Sequence, residues 1–185
     1  MTANLALRSY EAGRWSEAVE ILDTTIPRGY PEALQLTLVA RIQALRGNFD
    51  VARGLVERLS DEYGHISDTQ FQAPLAAVRL WLARWSGDMT ASPTQMFEQS
   101  RTLDGGAVAA GDTAEHLLAA AETAAWAREE GLVTVDARYF EDWAATADLL
   151  PAEPFGDAIR ATLVAERLRF EGRDDPDAWE VAVRR

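Results

Sequence analysis

The fold is decided by the stretch EAGRWSEAVEIL at residues 11–22, which aligns without a gap with LRGNFDVARGLV at residues 45–56. Both copies contain a glycine, an aromatic residue two positions later and an alanine five positions after the glycine. These residues are Gly13, Trp15 and Ala18 in the first copy and Gly47, Phe49 and Ala52 in the second. The two glycines lie 34 residues apart, so the chain contains an internal repeat.

Each residue type in this signature suits a turn between two packed helices. Glycine can adopt the left-handed backbone conformation that ends a helix. An aromatic side chain fills the turn, and alanine lets two helices approach closely where a larger side chain would separate them. The signature therefore predicts a helix–turn–helix pair.

The signature continues in a looser form along the chain. Gly87, Gly131 and Gly172 each follow an alanine- and leucine-rich stretch with helical periodicity. Their spacing exceeds 34 residues, which indicates longer loops or helices. We predict one domain over residues 1–185 made of five helix pairs, at about residues 3–26, 31–63, 70–103, 112–148 and 155–185.

Helix start and stop signals separate these pairs. Gly64 is expected to cap the second pair, Asp112–Glu115 reads as a capping box, and Asp175-Pro176-Asp177 reads as a helix start. The sequence has no sustained strand alternation and no Asn-Gly hairpin turn. The predicted class is all-α, a right-handed α-solenoid of about five antiparallel helix pairs.

Composition excludes several function classes. All 18 basic residues are arginine and the chain has no cysteine, which excludes disulfides, thiolate metal sites, a phosphate-loop lysine and a Schiff base. The net charge of −12 disfavours direct contact with nucleic acid. No signal peptide or membrane-spanning run is present in the sequence, so we expect a cytoplasmic protein.

Residues with catalytic potential are few and scattered. His65 is predicted in a loop and His116 in the first turn of a helix, each as a surface or cap residue without a ligand-spaced partner. Paired acids such as Glu129-Glu130 are typical of solvated helix faces. We expect no enzyme activity, no cofactor and no metal.

A ligand-binding groove is a more specific functional hypothesis for this chain. The 34-residue signature resembles tetratricopeptide repeats, and that resemblance implies that the first helix of each pair lines a concave surface. Counting back from the glycines places seven residues there. They are Arg41, Trp81, Arg84, Trp85, Arg128, Glu166 and Arg169. Tryptophan and arginine dominate binding hot spots. The alternative is that Trp81 and Trp85 are core residues between repeats.

Residues 4–60 resemble tetratricopeptide repeats through the two glycine–aromatic–alanine signatures. The stretches at residues 38–53 and 80–88, and Trp143 followed by residues 158–166, resemble the helical-repeat region of large ATP-dependent LuxR-type bacterial transcriptional regulators. In that family an ATPase module precedes the repeats and a DNA-binding domain follows them. The sequence contains neither the catalytic motifs of that ATPase module nor the motifs of that DNA-binding domain. No catalytic or DNA-contacting residue of this chain is therefore inferred from the resemblance.

The resemblance implies an effector- or protein-binding module, the sensor or interaction region of such a regulator. A stand-alone adaptor scaffold and an all-α enzyme are the alternatives. The last residues, 178–185, read as the start of an amphipathic helix without a polar capping helix after it. We therefore expect the natural chain to continue beyond Arg185.

Overall fold

The structure is a computed structural model that describes residues 2–23, 28–87, 110–132, 135–151 and 154–184. Within these ranges all regular secondary structure is α-helical, so the predicted all-α class is confirmed. The helices are α1 (Thr2–Glu11), α2 (Trp15–Asp23), α3 (Tyr30–Leu45), α4 (Phe49–Tyr63), α5 (Thr69–Ser86), α6 (Ala110–Glu129), α7 (Arg138–Ala147), α8 (Pro154–Phe170) and α9 (Pro176–Arg184).

The five signature glycines end helices as predicted. Gly13, Gly47, Gly87, Gly131 and Gly172 have φ angles of 73°, 78°, 67°, 66° and 73°. At four of these glycines, the residue after the glycine donates its N–H to the carbonyl of the residue four positions before the glycine. The four turns therefore close with the same hydrogen bond. These bonds run from Arg14 to Ser9, Asn48 to Gln43, Leu132 to Ala127 and Arg173 to Leu168.

The first two pairs carry the alanine where the signature requires it. Ala18 and Ala52 are fully buried, while Trp15 and Phe49 are half-buried at the starts of α2 and α4. A methyl group at these positions leaves room for the neighbouring helix, so the helices pack closely.

One of the predicted helix boundaries needs correction. α6 begins at Ala110, two residues before the predicted capping box at Asp112. Gly64 caps α4 as predicted, with a right-handed φ of −58° and its N–H donated to the Ser60 carbonyl. The start of α9 is as predicted, because the Asp175 carboxylate accepts the Asp177 N–H at 3.0 Å.

The described contacts divide the chain into two compact units, residues 1–71 and 72–185, so most of α5 belongs to the second. In the first unit, α1 packs on α2 and α3 packs on α4. Its buried apolar residues include Ala6, Ala18, Leu22, Ala33, Ala40, Ile42, Ala44, Ala52, Val56, Leu59 and Phe71. The predicted third pair has its second helix within residues 88–109, outside the described residues.

In the second unit, α8 packs against α6, α7 and α9. One hydrophobic core joins α5, α6, α7 and α8. Trp143 of α7 is 1% exposed and belongs to this core, where it also contacts Tyr139 and Phe140 of its own helix. None of the described helices is long and apolar enough to cross a membrane.

Candidate functional site

Six of the seven predicted groove residues lie in the second unit. Trp81, Arg84 and Trp85 lie in the last turns of α5, Arg128 at the end of α6, and Glu166 and Arg169 at the end of α8. Arg41 lies on α3, in the first unit, and is described separately.

Trp81 and Trp85 form a stacked pair on α5. Their ring centroids are 5.7 Å apart and their planes differ by 8°. Trp81 is half-buried and packs against the hydrophobic core, whereas Trp85 is 37% exposed. The inner tryptophan thus contributes to the core and the outer one presents an aromatic surface to solvent.

Arg84 connects α5 to α6. Its guanidinium donates a hydrogen bond to the carboxylate of Glu122 at 2.7 Å. Both side chains are partly buried, so the ion pair is less screened by solvent than a fully exposed pair. The predicted groove arginine is therefore bound by a carboxylate of the neighbouring helix.

Arg169 connects α8 to α6 in the same way. It donates from Nε and Nη2 to both carboxylate oxygens of Glu129, at 2.7 and 2.5 Å, in the bidentate geometry that only arginine offers. This bond lowers the pKa of Glu129 and raises that of Arg169. A third nitrogen of Arg169 contacts Glu166 on the same helix at 3.3 Å.

Glu166 is the most buried charged group at this site, with 3% of its surface exposed. Burial is the main cause of its raised pKa, and the charge of Glu122 adds to it, while Arg169 and Arg84 act in the opposite direction. The pKa of Glu166 thus depends on charges on α5, on α6 and on its own helix α8. The ion pairs at this site are therefore electrostatically coupled.

Arg128 contacts an aromatic ring of a neighbouring helix. Its guanidinium lies 4.6 Å from the ring centroid of Phe170, so α6 and α8 are also connected by a cation–π contact. In the first unit, Arg41 of α3 lies 4.3 Å from the ring centroid of Tyr10 on α1.

Sequence reasoning missed two residues of this site. Glu122 and Glu129 are the partners of Arg84 and Arg169. Both lie on α6, and the signal was their spacing, because residues seven positions apart share one face of a helix. We call the set formed by Trp81, Arg84, Trp85, Glu122, Glu129, Glu166 and Arg169 the tryptophan–ion-pair surface.

The two histidines differ from each other. His65 is exposed after α4, as predicted. The prediction for His116 was wrong: it lies in the second turn of α6, is fully buried, and has a pKa lowered to about 4 by burial. The main chain of Ala73 offsets a little of this shift, but neither ring nitrogen has a hydrogen bond of normal geometry.

No group of potential metal ligands occurs among the residues that the structure describes. No protein family, curated protein or solved structure matches the chain. The tryptophan–ion-pair surface is therefore the candidate site.

Proposed function

We propose that the chain is a non-enzymatic helical-repeat module that binds an effector or a protein segment at the tryptophan–ion-pair surface. The observation that carries this proposal is the placement of aromatic and charged side chains from α5, α6 and α8 around Arg84–Glu122 and Arg169–Glu129. Partly exposed tryptophan and arginine side chains are typical of binding hot spots.

The repeated glycine turn supports the solenoid part of this proposal. Four turns close with the same hydrogen bond, which supports a repeated reversal of helix direction. We infer a tetratricopeptide-like right-handed solenoid of helix pairs in which α5, α6 and α8 are first helices of their pairs. Those helices line the concave surface, where the ligand lies.

Within this proposal the module is the sensor or interaction region of a cytoplasmic bacterial transcriptional regulator of the LuxR type, with ATPase and DNA-binding domains elsewhere in the parent chain. In a repeat array each unit contacts its neighbours, so a ligand that bridges three helices can shift their packing and signal to flanking domains. This segment itself does not contact nucleic acid.

Binding at this surface is tested with a random-peptide library selected on the wild-type protein. We expect the selected peptides to lose about tenfold or more in affinity for Trp85→Ala, because an exposed aromatic hot spot is removed. Trp85→Phe should retain part of the affinity. Leu149→Ala removes another exposed apolar side chain, 70% exposed and outside the surface, and is the matched control. Equal affinity for wild type and Trp85→Ala would contradict the site.

The regulator context is tested separately with an antibody raised against this segment. A native band several times larger than 20.4 kDa would support a multidomain regulator. A band near 20.4 kDa would favour the second candidate, an adaptor scaffold with no domains attached.

A further inference from the structure

One ionisable side chain of the second unit is buried without a hydrogen-bond partner. His116 of α6 is 0% exposed, and neither Nδ1 nor Nε2 has a partner of normal geometry. The other buried polar side chains described in this unit differ, because Thr123 donates to a carbonyl and Glu166 accepts from Arg169. A neutral imidazole has one donor and one acceptor, and leaving both unpaired in a core costs free energy. The packing of α6 therefore holds His116 in an unfavourable place.

The neighbours of His116 place it between α5 and α6. Its imidazole faces the main chain of Ala73 on α5. About two turns further along both helices, the hydroxyl of Thr123 donates to the carbonyl of Leu80 at 3.5 Å. Both pairs are 43 residues apart in sequence, so the two helices lie side by side here and run in the same direction. We call the contact formed by Ala73, Leu80, His116 and Thr123 the α5–α6 interface.

The two ends of this interface are held unequally. Toward the C-terminal end of α5, Arg84 donates to Glu122 at 2.7 Å. At the other end, Ala73 is followed by Pro74, which lies inside α5. Proline has no N–H and cannot make the bond to the carbonyl four residues back that supports a regular helix. The end at His116 is therefore the weaker part of the interface.

Burial, and not a neighbouring charge, keeps the proton off His116. Its pKa is lowered to about 4 by burial, and the main chain of Ala73 offsets a little of this shift. The charged side chains described on the neighbouring helices are not among the causes; they include Arg79, Arg84, Glu115, Glu122, Glu166 and Arg169. The imidazole therefore gains a proton readily only where the two helices have separated and water reaches it.

We propose that the end of the α5–α6 interface at Ala73 and His116 opens in mildly acidic solution, while the end held by Arg84 and Glu122 stays closed. In the open form the imidazole is solvated and carries a proton. Returning the charged ring to a buried site without a partner costs free energy, so protonation keeps this end open. The opening is a property of the second unit that needs no ligand, so it goes beyond the proposed function.

The test is amide hydrogen exchange of the full chain, followed by NMR at pH 7 and pH 5 and corrected for the intrinsic exchange rates. With a pKa of about 4 in the closed form and 6.5 in the open form, opening is about twentyfold more favourable at pH 5 than at pH 7. We expect the protection of amides at residues 75–78 and 114–119 to fall by that factor. Their exchange should also change little at low urea concentrations, because a local opening exposes little surface.

Three variants show whether the imidazole causes this fall. His116→Gln keeps an uncharged polar side chain that does not titrate, and the fall should shrink to less than about twofold. His116→Phe removes the titration in a second way, so a folding defect in one variant leaves the other for the comparison. His65→Gln removes an exposed histidine and should keep the behaviour of the wild type.

Two kinds of result would overturn the proposal. Equal protection of residues 114–119 at both pH values, or the same fall in His116→Gln as in the wild type, would show that the interface does not open through the imidazole. A fall with the same steep urea dependence as the amides of α7 and α8 would show that His116 is protonated only when the whole second unit unfolds.

Discussion

Three of the arginines predicted for the groove make different interhelix contacts in the two compact units. In the first unit, the guanidinium of Arg41 lies over the ring of Tyr10, and this cation–π contact joins α3 to α1. In the second unit, Arg84 and Arg169 join α5 and α8 to α6 through ion pairs with Glu122 and Glu129. All three arginines were predicted from the same count back from a glycine.

This difference affects how each arginine contact responds to salt. Salt screens partly exposed ion pairs, whereas a cation stacked on an aromatic ring also gains from apolar contact. The two units also differ in their histidines, since among the described residues His116 of the second unit is buried and His65 of the first is exposed. We therefore expect acid to destabilise the second unit more than the first.

The largest expected effect comes from breaking the core of the second unit. Trp143→Ala should cost about 3–5 kcal/mol of unfolding free energy, because a large side chain that is 1% exposed is replaced by a cavity. Urea unfolding followed by circular dichroism measures the loss, and amide NMR signals show which unit it affects. Leu149→Ala, at an exposed position, should stay within about 0.5 kcal/mol. Loss of signals from the first unit before those of the second would contradict the prediction.

Acid should destabilise the second unit through His116. Its pKa of about 4 in the folded state lies below the ordinary value of 6.5, so between these values the unfolded chain binds more protons. Stability is therefore unaffected by this group above pH 6.5 and falls as the pH drops toward 4, by about 3 kcal/mol in all.

The measurement is the urea midpoint at pH 7 and pH 4.5 for wild type, His116→Phe and His65→Gln. Carboxylates also titrate in this range, so the contribution of His116 is the difference in pH dependence between wild type and His116→Phe. His116→Phe should show the smaller loss at acid pH, and His65→Gln should behave like wild type. An identical pH dependence for wild type and His116→Phe would show that the imidazole is not protonated on unfolding.

The glycine turn of the first unit gives a matched pair of substitutions. Gly47 has a φ of 78°, so Gly47→Ala should cost about 1–2 kcal/mol of unfolding free energy. Gly54 lies inside α4 with open space where a Cβ would sit, so Gly54→Ala should stabilise by about 0.5–1 kcal/mol. Thermal unfolding of both variants shows whether each substitution raises or lowers stability. Stabilisation by Gly47→Ala would contradict the left-handed turn.

The smallest effects compare the interhelix contacts directly. Arg84→Gln should cost about 1 kcal/mol at low salt and less in 1 M NaCl, because salt screens the pair with Glu122. Arg41→Gln should cost about 0.5–1 kcal/mol at both salt concentrations, because the contact with Tyr10 is a cation–π contact. Equal salt dependence of the two variants would remove the distinction between these two contacts.

Local features of the fold were predictable from the chain alone. The left-handed glycines at helix ends, the buried Ala18 and Ala52, and the start of α9 at Pro176 follow from backbone sterics and short-range hydrogen bonds. The start of α6 was placed two residues late, because the capping-box pattern at Asp112 also occurs inside a helix.

Long-range contacts were not predictable in the same way. The sequence indicated Arg84, Glu166 and Arg169 as groove residues on two helices, but not that Glu122 and Glu129 would hold the two arginines. Those pairs join residues 38 and 40 positions apart, and their geometry depends on how three helices pack. His116 was predicted at the surface for the same reason, since its burial depends on the packing of α6.

By itself, therefore, the sequence determined the helices and the turns between them, because a turn depends on conformational preferences within a few residues. The tertiary structure decided which charges meet. Trp85 stays partly exposed and Glu166 becomes buried because α5, α6 and α8 pack against a shared core, and only that packing sets the separation and the solvent exposure of their side chains.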